Sequence, residues 1–359
     1  MKQKARLLSI LVIFLLALGV IPVEGILAQE TEDPLIRIEN LLSASAERGM
    51  FSGSVLIAQG EEILLSEGYG FAVRQWDIPN TADTRFRITN QTELFIATAI
   101  MMLQERGLLS IDDPICDYID TCPEIWQNIT IHHLLSHSAG IPFLLNDIAD
   151  LEVALPVNTN RLLELLANEP LMSTPSEGFY YGSDYLILGQ IINSVSDQSY
   201  KVFIRQNLIE PLALTDTGFD SHGDVVERLA EGYQNERRLS NYVHVNNLGA
   251  ALGMYSTIED LFHFHQALRN GQLVSSELWQ AMSTSSVILD EDLSYGYGMF
   301  LGSIEGHSSI GDNWWGLGYS NARLYLLDQD ITIIILTNFG ELDPDLYNRS
   351  IIQILFVDG

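Results

Sequence analysis

Apolar residues recur along this chain at two periods, and the switches between them divide it. In residues 33–49, Leu35, Ile38, Leu41, Leu42 and Ala46 fall on one side of a 3.6-residue repeat, which predicts an amphipathic helix. Residues 51–58 and 63–70 are short apolar runs around a Gln59-Gly60-Glu61 turn, the pattern of a β-hairpin. From Leu94 to Leu103 nearly every position is apolar, and a helix apolar all round is a buried one. A polar knot around Asn90 precedes it and Gly107 supplies a C-cap. A buried helix that starts at a polar knot places its first turn at the floor of a pocket.

Helical spacing then dominates, over 129–137, 159–168, 184–196, 199–209, 257–269 and 275–283, with loops rich in Gly, Ser and Asn between. Strand patterns return at 295–300, 320–327 and 331–337. The last is rich in β-branched residues, as a central strand should be. Residues 343–357 close with an apolar-faced helix. With β elements at both ends and helices between, the expected fold is α+β. One antiparallel sheet is built from both chain ends, with flanking terminal helices, plus a helical lobe. We expect a single two-lobed domain over 29–359: an α/β lobe of about 33–83 and 290–359, and a helical lobe of about 84–289. The seam between the lobes is the expected ligand site.

The first 28 residues read as a signal peptide. Lys2, Lys4 and Arg6 precede the apolar run Leu7 to Val20, and Gly25 or Ala28 offers a small residue for cleavage. The run falls short of the roughly 20 residues that span a bilayer, so cleavage is preferred to an uncleaved anchor. The expectation is a secreted or otherwise extracytoplasmic protein. In such a compartment Cys116 and Cys122, close together in one polar segment, read as a disulfide.

Charge narrows the partners. Eighteen basic residues against 47 acidic ones give −29 at neutral pH. That balance repels nucleic acid and anionic membrane surfaces, so neither is an expected partner. No motif calls for a cofactor. His133 and His137, four apart, have a metal-like spacing but read as helix-end capping and packing residues. His263 and His265, two apart, cannot share a helix face and read as surface or edge residues.

The order of segments resembles the serine β-lactamase and penicillin-binding-protein family, in its class C β-lactamase and esterase-like branch. The likeness is carried by Phe51-Ser52-Gly53-Ser54-Val55-Leu56, Gly68-Tyr69-Gly70, Thr84-Arg85-Phe86-Arg87-Ile88 and Ala97-Thr98-Ala99-Ile100-Met101. Further on it includes Leu134-Leu135-Ser136-His137-Ser138-Ala139-Gly140-Ile141-Pro142, Glu210-Pro211-Leu212 and Tyr255-Ser256-Thr257-Ile258-Glu259-Asp260-Leu261. The resemblance implies the β-lactamase/transpeptidase-like fold and three catalytic pieces. These are a Ser-x-x-Lys nucleophile pair, a Tyr-x-Asn proton shuttle, and a Lys or His before a Gly on a strand.

None of the three matches in full. In the frame of Phe86-Arg87-Ile88 and Phe95, Asn90 stands at the serine position and Glu93 at the lysine position. Beyond residue 4 the chain has one lysine, Lys201, preceded three residues earlier by Gln198, so no other Ser-x-x-Lys exists there. Counted from Pro175, Tyr181 is the motif tyrosine and Ser183 replaces the asparagine. Counted back from Tyr185, the pair is Tyr180 and Gly182. On the strand, Asp312 takes the Lys/His position and Trp314 the glycine; an alternative frame uses His307 but needs an insertion.

Asn90 also suits a structural role. Asn is a strong N-cap, and Glu93 three residues on completes a capping-box-like spacing. Glu93 and Asp312 together would make a pair of pocket carboxylates, able to activate water or hold a cationic small molecule. The leading expectation is an exported protein of this family without serine acyl-enzyme chemistry. The alternatives are an esterase- or peptidase-type hydrolase with another nucleophile or activated water, and a non-catalytic interaction or ligand-binding module.

Overall fold

The computed structural model describes residues 32–356 apart from 121, 145–155, 222, 236, 241–242, 245–246 and 248. The segment read as a signal peptide lies outside the described residues. The helices are α1 (Pro34–Glu47), α2 (Thr92–Glu105), α3 (Ile131–Leu135), α4 (Thr159–Asn168), α5 (Asp184–Ser196), α6 (Tyr200–Ile204), α7 (Gly249–Leu252), α8 (Ile258–Arg269), α9 (Ser276–Met282) and α10 (Pro344–Phe356). The main sheet contains β1 (Gly53–Gln59), β2 (Glu62–Tyr69), β3 (Val287–Ile288), β4 (Ser294–Tyr295), β5 (Phe300–Ile304), β6 (His307–Gly316), β7 (Tyr319–Leu326) and β8 (Ile331–Thr337).

The order across that sheet is β3-β4-β5-β6-β7-β8-β1-β2, every neighbour antiparallel. The two chain ends therefore meet, with Val55 opposite Ile335 and Ile57 opposite Ile333. The reason is legible in β8. Its Ile-Thr-Ile-Ile-Ile-Leu-Thr sequence is buried at every position, so it needs a covering layer on each face. Val55, Ile57, Ile333 and Ile335 pack on Ile38 and Leu42 of α1 and Ile351 and Ile352 of α10. Leu56, Ala58, Ile334 and Leu336 face the opposite way, into the helical core. Helix α8, from the segment assigned to the helical lobe, lies on this second face against β8 and β1.

Helix α2 runs through the middle of that core, with 11 of its 14 residues buried. It ends as expected: Gly107 takes φ +68°, and the N–H groups of Gly107 and Leu108 close on the carbonyls of Gln104 and Leu103. Cys116 and Cys122 are joined by a disulfide.

Three elements depart from the hydropathy pattern. The expected strand 295–300 is broken: β4 stops at Tyr295 and β5 starts at Phe300. Between them Gly298 holds φ +74°, and a Cβ there would stand 3.1 Å from the Leu94 Cα and 3.3 Å from the Glu93 carbonyl carbon. The turn is thus pressed onto the first turn of α2, which only glycine permits. Strand β6 was not predicted from periodicity, because His307–Gly316 mixes polar, Gly and Trp residues without alternation. Tertiary pairing between β5 and β7 makes it a strand. The helix expected at 129–137 shrinks to Ile131–Leu135, since Thr130 caps it and His137 turns to φ +51°.

Candidate active site

The site is assembled on the first turn of α2. A 3₁₀ turn, Thr89–Gln91, leads in, held by the Asn321 Nδ2, which donates to the Arg87 carbonyl at 2.9 Å and to the Thr89 hydroxyl at 3.4 Å. The expected Asn90 cap does not form. The cap position is Gln91, without a side-chain cap, and the buried Asn90 Oδ1 has no hydrogen-bond partner. The Glu93 carboxylate does not reach back to close a capping box because other groups engage it.

Glu93 is 1% exposed. Its Oε1 accepts from the Tyr181 hydroxyl at 2.8 Å. Its Oε2 lies 3.3 Å from the His137 Nε2 and 3.3 Å from the Tyr295 hydroxyl. On the other side of the imidazole, Nδ1 lies 2.9 Å from the Asp184 Oδ2. Asp184, the first residue of α5, and His137 are both fully buried. With a carboxylate at each ring nitrogen, His137 is satisfied as an imidazolium that donates both ways. Burial alone pushes it down, but Glu93 and Asp184 override this and raise it to about 9. Burial raises Glu93, while His137 and Tyr181 pull it back. Asp184 is likewise raised by burial and opposed by His137.

Backbone constraints bring these side chains together. Gly182 lies so close to the Ile141 carbonyl that a Cβ would stand 1.9 Å from it, which sets Tyr181 and Asp184 on either side of a tight crossing. Tyr180 is 38% exposed; its N–H donates to the His137 carbonyl, and its side chain is not part of the Glu93 network. Ser183 Oγ accepts from the Leu144 N–H at 2.9 Å, so it serves the 142–144 loop rather than Glu93. Rings fill the surroundings: Trp314 lies 5.3 Å from Tyr181, and Phe179 and Phe300 lie 5.1 and 4.8 Å from Tyr295.

Asp312 does not join Glu93. It sits on β6 opposite Arg323 of β7, whose Nη2 donates to the Asp312 Oδ2 at 2.6 Å, both side chains buried. The expected pocket carboxylate pair is therefore absent: each acid has its own cationic partner, His137 or Arg323. His307 opens β6 and packs its ring 4.7 Å from Phe356. Two cavities of about 440 and 410 Å³ are lined by none of Asn90, Glu93 and Tyr181; Asp312 borders the second.

The histidines also sort differently from expectation. His133 is a capping residue: its Nδ1 accepts from the Thr130 N–H at 3.0 Å and its Nε2 meets Ser176 Oγ at 2.7 Å. His137 is the centre of the site, a role missed in the sequence. The signal was present in Ser136-His137-Ser138, a histidine flanked by small polar residues in a segment that then folds fully buried. Asp184 and Tyr295 were missed too, since nothing local marks them. His265 is not a surface residue. It is fully buried in α8 between the Trp279 and Tyr325 rings, and only His263 is exposed. Among the described residues no group of three His, Cys, Asp or Glu side chains could hold a metal ion. Lys201 lies over the Phe219 ring at 5.5 Å and takes no part in the Glu93 network.

A short 3₁₀ turn leading into a buried helix, a tyrosine from the α5 approach and an antiparallel sheet beside them define a known arrangement. The family model described as beta-lactamase matches residues 36–355. The chain belongs to the beta-lactamase family. A penicillin-binding protein of Bacillus subtilis is 28% identical over 342 residues, covering 88% of this chain and 74% of that protein. A second Bacillus subtilis relative is 29% identical over 262 residues, 72% of this chain; the match spans 64% of that relative's length. Among solved structures, a penicillin-binding protein of Bacillus halodurans superposes with a TM-score of 0.77 at 26% identity, over 88% of this chain and 99% of that one.

Proposed function

We propose that this member of the beta-lactamase family has lost serine acyl-enzyme chemistry and keeps the former nucleophile turn as a closed structural network. One observation carries the reading. Glu93 stands where the family pattern calls for a lysine, and its carboxylate is fully committed to Tyr181, His137 and Tyr295. The family reaction needs a hydroxyl at the first motif position and an amine one turn on. Asn90 offers an amide and Glu93 an acid. The Asp184–His137 pair has the orientation of a catalytic dyad, but its Nε2 meets a carboxylate instead of a hydroxyl. Water activation by Glu93 is not favoured either, because a base must reach its substrate and this one is 1% exposed. Export, read from the basic and apolar start of the chain, belongs to the same proposal.

Labelling with a fluorescent penicillin tests it. The purified protein should carry no covalent label after denaturing electrophoresis, under conditions that label an active family member. A stable label would overturn the proposal, and mass spectrometry of the labelled peptide would name the nucleophile.

A further inference from the structure

Two histidines on one short segment hold opposite protonation states. His137, set between Glu93 and Asp184, donates from both ring nitrogens and so carries a charge. His133 cannot. Its Nδ1 accepts from the Thr130 backbone N–H at 3.0 Å, and a backbone amide nitrogen only donates. Nδ1 is therefore bare, and the single ring proton sits on Nε2, which donates to the Ser176 Oγ at 2.7 Å. A second proton, on Nδ1, would set N–H against N–H.

The bond at risk is structural. It is one half of a reciprocal cap on α3, in which the His133 N–H donates to the Thr130 Oγ1 at 3.4 Å. Glu or Gln ordinarily takes this position in such a cap; here it is filled by the side chain that titrates near neutral pH. The Nε2 bond ties the same ring to the 174–177 turn, where Ser176 holds φ +74°. That turn belongs to a segment laid along residues 137–140. The N–H groups of Met172, Ser176 and Tyr180 donate to the carbonyls of Gly140, Ser138 and His137. The next residue, Tyr181, reaches Glu93. The imidazole is rigid, so a ring forced off Thr130 leaves Ser176 as well.

Among the described residues no carboxylate pairs with His133 to balance a charge there. On α3, the His132 ring lies 5.8 Å away, its Nδ1 on the Tyr297 hydroxyl at 2.7 Å. On the 174–177 turn, Glu177 accepts from the Thr174 N–H at 3.3 Å. On the 110–114 loop, Asp112 acts on His132, and Asp113 accepts from the Ser110 N–H and the Tyr118 hydroxyl. Burial, and after it His132, holds His133 below its ordinary 6.5.

We propose that His133 is an acid-release latch: proton uptake at Nδ1 breaks the α3 cap, swings the ring off Ser176 and frees the segment that delivers Tyr181 to Glu93. The latch stands whether or not Glu93 takes part in chemistry. Its sign is opposite to that of His137. A histidine held below its ordinary value stabilises above pH 6.5 and loses that contribution as pH falls through the lowered value.

Imidazole nitrogen-15 spectra and amide exchange of the full chain test the latch. At about pH 7 His133 should be the Nε2–H tautomer with a bare Nδ1. Lowering the pH from about 7 to about 5, where an ordinary histidine takes up its proton, should cut protection of the Thr130, Ser176 and Tyr180 amides about tenfold. Each rate is taken relative to the unfolded chain at the same pH, and amides in the middle of α2 should hold. His133→Gln puts the usual, non-titrating residue in the cap, and its protection should not change over that range. His132→Gln should respond like the unaltered protein. An Nδ1–H tautomer or a charged His133 ring at about pH 7 would overturn the proposal on the unaltered protein alone. So would an equal acid loss in His133→Gln, or a response that disappears in His132→Gln.

Discussion

The His137 Nε2 lies 3.3 Å from the Glu93 Oε2, so a histidine from the α3–α4 connection answers a charge that α2 buries at its first turn. A lone carboxylate at 1% exposure would be strongly disfavoured. Flanked by Asp184 as well, His137 makes three buried ionisable groups into one hydrogen-bonded unit.

This unit sets the sign of the pH dependence. The folded protein holds the His137 proton up to about pH 9, against an ordinary 6.5. Its stabilising contribution is complete below pH 6.5 and is lost as pH rises through about 9. Glu93 and Asp184, both raised, act in the same direction from their ordinary values upward. The Tm should therefore fall between pH 6.5 and 9, and the Glu93→Gln, His137→Gln, Asp184→Asn triple variant, which removes all three titrating groups, should flatten that fall. An unchanged slope in the variant would refute the assignment.

Restoring the family pattern should fail. Glu93→Lys sets an ammonium against the His137 imidazolium and removes the acceptor of Tyr181. We expect a loss of about 3 kcal/mol or more in urea unfolding. Glu93→Gln, which keeps one acceptor for Tyr181, should cost about 1–3 kcal/mol. The Asn90→Ser, Glu93→Lys double variant should remain unlabelled by fluorescent penicillin, and labelling would show that the surrounding site is still competent.

On β6 and β7, Arg323→Met leaves Asp312 buried without a counter-charge. Denaturant unfolding should show a loss of about 3–5 kcal/mol. Arg323→Met with Asp312→Leu should recover most of it, since removing both charges leaves no ion unpaired. Equal losses in the single and double variants would mean that packing, not charge, dominates there.

Much of the architecture was legible because period and burial report local facts. The apolar belt of α2, the β-branched run of β8 and the amphipathic α1 and α10 each carry their partner surface in their own spacing. That residue 90 is an amide and residue 93 an acid was equally a matter of sequence, since residue identity needs no coordinates. What those residues do was not. Glu93 lies 44 positions from His137, 88 from Tyr181 and 202 from Tyr295. Asp312 meets Arg323 only because β6 and β7 pair in one register. Periodicity reports which face of an element is buried, but charge compensation depends on which elements the fold brings face to face. The sequence alone therefore determined the family frame and the identities of Asn90 and Glu93, while the tertiary structure decided that the Glu93 carboxylate is a neutralised, closed part of the core.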